Sequence, residues 1–459
     1  MRRRSVLAGL IALPAVPVWA VPVCARPLPR PAFAAGPMVA ATRLPGIVSY
    51  ARLGPDGTVV DAALASAPMM PASTLKAVTA LYALSRLGRT RRFATRVIRS
   101  GDMLVLAGGG DPVLSTDDLA QLAADLTVTN MPAPARFGVW GGALPQVPEI
   151  APEQDDHLAY NPALSGMILN FNRVHLGWRP GDGGPVMSLE ARAADYSPRA
   201  YTITAAPADQ GVPFAWQDRD FGEGWTVSRR ATARPGARWL PVRKPELYAG
   251  DVFQTLCRAQ GLVLPTPEVI HDLPRGEVVA SHLSPPVGDI LRGMLSFSTN
   301  LTAEVLGLHA SGADSPAQSA QAMRSWLTSQ GQGADFMLAD HSGLSPASRV
   351  TAQGMARLLA GPGLAAGLPD LLKVDPLADD LGRNSVHAAG IRAKTGTLNF
   401  VSNLAGYLRR PDGTQSAFAI LCSDVARHAA TSGQDLPPGV LTWTRDAKRL
   451  QRDMLALWS

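Results

Sequence analysis

Pro71-Ala72-Ser73-Thr74-Leu75-Lys76 runs straight into an apolar segment, Ala77 to Leu87. Leu75, Val78, Leu81, Leu84 and Leu87 recur three apart, and Tyr82 follows Val78 by four. That is helical spacing, so Ser73 is predicted at or near a helix start. Positions three apart on a helix share a face, which makes the Ser73 and Lys76 side chains neighbours. A serine hydroxyl is a weak nucleophile until an adjacent base takes its proton. A lysine deprived of its charge by burial or by nearby cations can be that base. A helix N-terminus adds N–H groups and a positive dipole end that favour a developing anion. Ser-x-x-Lys also occurs in many helices with no chemical role, so its distant partners decide the reading.

The chain has 459 residues, enough for two or three domains. Hydrophobic residues make up 46% and charged residues 17%, which fits a globular protein with a large core. The net charge is +6, but Arg2, Arg3 and Arg4 alone supply half of it. No Lys/Arg cluster is interleaved with aromatics, so general surface charge is preferred over nucleic-acid binding. Arg2-Arg3-Arg4, an apolar run from Val6 to Ala20 and then small residues read as an export signal. It is assigned to residues 1 to 25. Cleavage is expected after Ala20 or Ala25, with Ala34 and Ala35 as later alternatives. The paired arginines resemble a twin-arginine signal loosely, and ordinary secretion is preferred. No other stretch is apolar for long enough to span a bilayer. The expectation is a periplasmic protein with at most peripheral membrane association. Once Cys24 is removed, Cys257 and Cys422 remain. They can pair in an oxidising compartment, but two isolated buried thiols is the default. No Cys or His spacing suits a metal, and no cofactor is expected.

Along the chain, 46 to 53 reads as a strand, Asp56-Gly57 as a hairpin turn and Thr58 to Ala62 as its return strand. Met103 to Ala107 and Phe137 to Trp140 read as strands, and Thr116 starts a helix through Leu126. The glycines at 108 to 110 read as a turn, because no Gly-Lys-Ser/Thr follows. Ile168 to Trp178, Tyr201 to Ala205 and Trp225 to Ala231 are strand-like, giving a β-rich module at 166 to 245. Helical pattern returns at Leu247 to Gln260 and at Val287 to Leu295. Ala417 to Cys422 reads as a buried strand.

Two short motifs change the weight of the first. Ser298-Thr299-Asn300 lies between two helical stretches, and Lys394-Thr395-Gly396 precedes a strand at Val401 to Leu408. Ser-x-x-Lys, Ser-x-Asn and Lys-Thr-Gly in this order resemble the penicillin-recognising serine enzymes. Four further stretches are similar to the D-alanyl-D-alanine carboxypeptidase/endopeptidase family of the penicillin-binding protein 4 type, peptidase family S13. They are Gly109-Gly110-Asp111-Pro112-Val113-Leu114, Leu169-Asn170-Phe171-Asn172, Asp340-His341-Ser342-Gly343-Leu344-Ser345, and Lys394 to Asn399 running on to Ser402-Asn403-Leu404-Ala405-Gly406-Tyr407. The long gap between Ser73 and Ser298 leaves room for insertions. The resemblance implies an α/β (α+β) fold: a serine β-lactamase/transpeptidase-like domain, helices on an antiparallel sheet, split by nested inserted domains. The catalytic pieces are expected at 36 to 97 and 280 to 459. An inserted α/β domain is expected at 98 to 165 and 246 to 279, and a small β-rich one at 166 to 245.

The same resemblance implies the roles. Ser73 is the nucleophile, Lys76 its base, Ser298 a proton relay and Asn300 a holder of Lys76 and of the substrate amide. Lys394 carries positive charge toward the substrate carboxylate and helps depress Lys76. Thr395, Gly396, Thr397, Leu398 and Asn399 bind substrate, and Ser73 and Thr397 N–H groups form an oxyanion hole. Asp155 and Tyr160 are candidates for a side-chain pocket, with solvated loop residues as the alternative. Where the family often has Arg after Gly-Leu-Ser, this chain has Pro346, with Arg349 three residues on. Implied partners are peptidoglycan stem peptides and β-lactam antibiotics. Three rivals stand beside this: a β-lactamase, an inactive exported binding protein, and a Ser-His-Asp hydrolase suggested by His341 beside Ser342. The last lacks a Gly-x-Ser-x-Gly elbow.

Overall fold

A computed structural model describes residues 34–128, 131–382 and 390–459. The expected export segment and Cys24 lie outside these residues. No helix among those described is long and apolar enough to cross a membrane.

The frame is a six-stranded sheet in the order Lys373–Val374, Ile391–Leu398, Val401–Arg409, Gln415–Ser423, Ile47–Leu53, Val59–Ala63, antiparallel throughout. The first strands of the chain therefore complete a sheet built by its last strands. Strand alternation sends residues to opposite faces. Ala417, Ala419 and Leu421 join the core with the helices Leu75–Leu87, Val287–Phe297 and Ala352–Leu358. Phe418, Ile420 and Cys422 face the helix Val440–Trp458 on the other side. Ser73 sits in a 3-10 turn, Ala72–Thr74, that leads directly into the helix Leu75–Leu87.

Between these pieces a five-stranded sheet runs Pro267–Ile270, Arg136–Trp140, Met103–Ala107, Ala94–Ser100, Glu277–Leu283. Its first three strands are parallel. The helices Thr116–Val128 and Pro245–Ala259 contribute to the core over it. The chain enters by Ala94–Ser100 and leaves by its antiparallel neighbour, Glu277–Leu283. Two three-stranded sheets lie between: Gly236–Pro241, Arg173–Arg179, Val186–Glu190 and Ile203–Ala208, Gly222–Ser228, Phe214–Arg219. Cys257 and Cys422 are free and buried, in two different cores.

The expected strand from Ile168 starts only at Arg173. Asn170, Phe171 and Asn172 turn with φ of 50°, 58° and 50°. Asparagine tolerates this left-handed region because its side chain bonds locally. Asn172 Oδ1 accepts from the Leu169 N–H at 3.0 Å, and Asn170 reaches across to Thr116. The strand expected to run to Ala231 ends at Ser228, whose hydroxyl caps a short helix by accepting from the Ala231 N–H.

Asn403 fixes the serine turn to the sheet. Its amide donates to the Met70 and Pro71 carbonyls at 2.8 and 2.9 Å, and its oxygen accepts from the Cys422 N–H at 3.1 Å. All three are buried bonds. Asn403→Leu strands these groups and is expected to cost about 3 kcal/mol. Urea denaturation will register this as a lower midpoint at unchanged slope; an unaltered midpoint would show that the three bonds contribute nothing.

Candidate active site

Three separate elements converge on one amine. The helix Leu75–Leu87 begins just after Ser73 and carries Lys76 in its first turn. The helix Asn300–Ser311 supplies its first residue. The segment Asp340 to Ser345 supplies a carbonyl. Lys76 Nζ lies 2.9 Å from Ser73 Oγ, 2.7 Å from Asn300 Oδ1 and 2.8 Å from the Ser342 carbonyl. The Lys76 side chain is fully buried. Burial pushes its ammonium down to about 7, against an upward pull from Asp340 and Glu304.

This geometry suits the neutral amine. Two of the partners are carbonyl oxygens, which only accept. A neutral amine has two N–H bonds for them and one lone pair, and the remaining neighbour is the Ser73 hydroxyl, which can donate to it. The Asn300 orientation is set independently. Its Nδ2 donates to the Tyr160 carbonyl at 3.1 Å, so Oδ1 faces the lysine.

A second layer holds the third partner in place. Glu304 is buried and accepts from the His341 N–H (3.1 Å) and the Ser342 N–H (2.8 Å). Burial and then the charge of Asp340 raise its carboxyl to about 7. Asp340 accepts from Ser348 Oγ at 2.6 Å and the Ser345 N–H at 2.9 Å, closing the turn. Gly343 has φ of +78°, and a Cβ there would lie 1.8 Å from the Ala72 carbonyl oxygen. Only glycine fits that approach. His341 does not contact Ser73: its Nε2 lies 2.7 Å from Ser319 Oγ, and burial lowers its pKa to about 3.

The strand Ile391–Leu398 passes on the other side of Ser73. A Cβ on Gly396 would come within 2.9 Å of the Pro71 carbonyl oxygen and the Thr74 nitrogen, and 3.0 Å of the Ser73 nitrogen. Lys394 is buried, and its Nζ donates to the Thr395 carbonyl at 2.7 Å. Burial, then the charges of Lys76 and Lys373, lower its pKa well below that of a free lysine. Of the two causes expected for the Lys76 depression, burial and a neighbouring cation, burial is the larger.

A cleft of about 510 Å³ opens over Ser73. Ser298, Asn300, Thr397, Leu398, Asn399 and Tyr160 line it. Ser298 ends its helix with φ of 60°. Lys394, Thr395 and Gly396 precede the lining residues on the same strand and are not among them, and neither is Asp155. Tyr160 Oη donates to Gln154 Oε1 at 3.2 Å. Pro346 lines the cleft, while Arg349 turns back onto the Pro346 and Ser348 carbonyls. Sequence reasoning assigned no role to Glu304, Asp340 or Asn403, and considered Ser342 only beside His341 in a rival hydrolase reading. Glu304 was detectable as the lone acid within an apolar helix.

The pattern of the D-Ala-D-Ala carboxypeptidase 3 (S13) family matches residues 53–439. The chain belongs to that family. It is 28% identical over 412 residues to a D-alanyl-D-alanine carboxypeptidase of Actinomadura sp. strain R39, covering 80% of this chain and 76% of the relative. The fold superposes on penicillin binding protein 4 of Haemophilus influenzae with a TM-score of 0.72, at 18% identity, over 92% of this chain and 99% of that one. A complex of that same protein with a β-lactam gives 0.70 at 19% identity, over 91% and 98%. A peptidoglycan endopeptidase of Bdellovibrio bacteriovorus gives 0.50 at 16% identity, over 88% and 91%.

Asn300→Asp puts a carboxylate where Lys76 now meets a neutral carbonyl. An adjacent negative charge favours the ammonium, so the lysine should shift from about 7 toward its free value. NMR titration of 13C-labelled lysine ε-carbons, with the Lys76 signal assigned by its loss in Lys76→Ala, is expected to show Lys76 titrating near pH 7 in the parent protein and well above it in Asn300→Asp. A midpoint unchanged in the variant would contradict the proton assignment.

Proposed function

We propose that this S13-family protein is a periplasmic serine D,D-carboxypeptidase acting on peptidoglycan stem peptides, and that β-lactams acylate it on the same serine. The observation that carries this reading is the 2.9 Å contact between Ser73 Oγ and a fully buried Lys76 amine whose other two partners only accept.

Lys76 takes the hydroxyl proton as Ser73 Oγ attacks the carbonyl of the D-Ala-D-Ala bond. The N–H groups of Ser73 and Thr397 receive the negative charge on the tetrahedral oxygen; losing one such donor typically costs about 100-fold or more in rate. Ser298 relays the proton to the leaving amine, and D-alanine departs. Asn300 keeps Lys76 aimed and meets the substrate amide. The substrate's terminal carboxylate restores the charge on Lys394 and is met by the Thr395 hydroxyl. Water, deprotonated by Lys76, then hydrolyses the ester. In a β-lactam the leaving amine stays tethered to the acyl group, so deacylation is slow. Leu398, Asn399 and Tyr160 shape the walls, Gly396 lets its strand close on the Ser73 turn, and Asp155 precedes Tyr160 by five residues without lining the cleft. Cleavage of peptide cross-bridges is a second reading, supported by the cleft's continuation past Leu344 to the C-terminal helix.

The layout fits a catalytic unit interrupted by nested insertions, entered at the strand Ala94–Ser100 and left at Glu277–Leu283. Export through the N-terminal signal supports the periplasmic assignment. Neither nucleic acid nor a membrane span enters this reading.

Mass spectrometry after incubation with benzylpenicillin is expected to find one stable adduct on the parent protein and none on Ser73→Ala. No adduct, or the same one on both, would overturn the acyl-enzyme. Release of D-alanine from a stem pentapeptide should fall at least 1,000-fold in Ser73→Ala and Lys76→Ala. Rapid, repeated turnover of nitrocefin would favour a β-lactamase.

A further inference from the structure

Ala35 is completely buried, and its backbone nitrogen donates to Asp61 Oδ2 at 2.7 Å. Asp61 is itself buried. Trp458 Nε1 donates to the same oxygen at 2.9 Å, and Tyr50 Oη to Oδ1 at 3.3 Å. The donors reaching this carboxylate are thus an amide, an indole and a phenol, all neutral. Arg52 stands opposite Asp61 in the sheet register and feels its charge, but its guanidinium lies over the Trp458 ring, 5.9 Å from the centroid, and makes no hydrogen bond to the carboxylate. Its Nε and Nη1 have no hydrogen-bond partner among the described residues. A buried carboxylate is ordinarily paired with a cation.

The sequence beside this site offers one. Ala32-Phe33-Ala34 places small residues one and three positions before Ala35, the pattern that a leader peptidase cuts. We infer that the exported protein is cut between Ala34 and Ala35, nine residues later than the 1 to 25 assignment, and that the new α-amino group of Ala35 forms a buried ion pair with Asp61. Water adds across the Ala34–Ala35 peptide bond in the peptidase. Ala34 leaves as a carboxylate, and Ala35 keeps an ammonium where the amide N–H now stands. The distance of 2.7 Å, now made by the amide N–H, is also the reach of a charge-assisted bond, so the ammonium needs no movement of the chain. The amino end would then be clamped to the sheet's edge strand and to the last helix, through the carboxylate that Trp458 also holds. The inference rests on the export reading of the N-terminus.

The test is to export the full chain in a Gram-negative host, purify it, block its α-amines by reductive dimethylation and map the N-terminal peptide by mass spectrometry. The expected blocked peptide begins Ala35-Gly36-Pro37. A start at Val21, Arg26 or Gly36 overturns the cut site while leaving export intact. An uncut chain overturns both. The pairing has its own readout. An unpaired α-amine titrates near 7.7–8.0 and reacts readily with acylating reagents. At pH 7 the Ala35 amine is expected to acylate at least tenfold more slowly in the folded protein than in urea, with the gap narrowed in Asp61→Asn. Equal rates in the folded and unfolded parent protein would overturn the ion pair, whether or not the variant folds.

Discussion

The cleft is organised by one amine that has been taken out of water without a direct counter-ion. Lys76 is fully enclosed, and its contacts are a hydroxyl and two carbonyls. A charged ammonium in that position would be poorly solvated, so the protein favours the neutral base. Asp340 and Glu304 limit the effect. They hold the lysine near 7, where a base is present at neutral pH and its conjugate acid can still return a proton. Glu304 is itself raised, which weakens the pull it can exert on the lysine.

That arrangement requires close backbone approach on two sides. Gly343 lets one turn close on Ala72, and Gly396 lets a strand close on the Ser73 turn. Asn403 ties the segment just before that turn, Met70 and Pro71, to the sheet. The sheet that bears these features is finished by the first strands of the chain. The nucleophile is thus positioned by segments that are remote in sequence, and the long stretch between them starts and ends on adjacent antiparallel strands.

Where periodicity was strong the sequence was a good guide. The helix after Ser73, the strand Met103–Ala107 and the buried strand ending near Cys422 all follow from it. Short motifs marked Ser73, Lys76, Ser298 and Asn300, because helix starts and ends make such positions readable; Ser73, Ser298 and Asn300 line one cleft, and the buried Lys76 bonds to two of them. Two kinds of information were hidden. The turn at Asn170 to Asn172 looked like strand because its left-handed backbone is held by Asn172 bonding to Leu169 and Ala163 nearby and by Asn170 bonding to Thr116, 54 positions away. The depth of burial around Lys76 was equally hidden. Charge neighbours can be guessed from motifs, but desolvation depends on three elements closing together. The motifs therefore named burial and nearby cations as possible causes of the Lys76 shift, and only the enclosure shows that burial dominates.

The central claim is that Lys76 works as a neutral base held near pH 7 by its enclosure. The pH dependence of the second-order rate constant for Ser73 acylation by benzylpenicillin tests it most directly. Only the free amine can take the proton, so the rate should fall about tenfold per unit below pH 7 and level off above it. A profile that is flat from pH 5 to 9, or one that keeps rising toward pH 10, would contradict the claim.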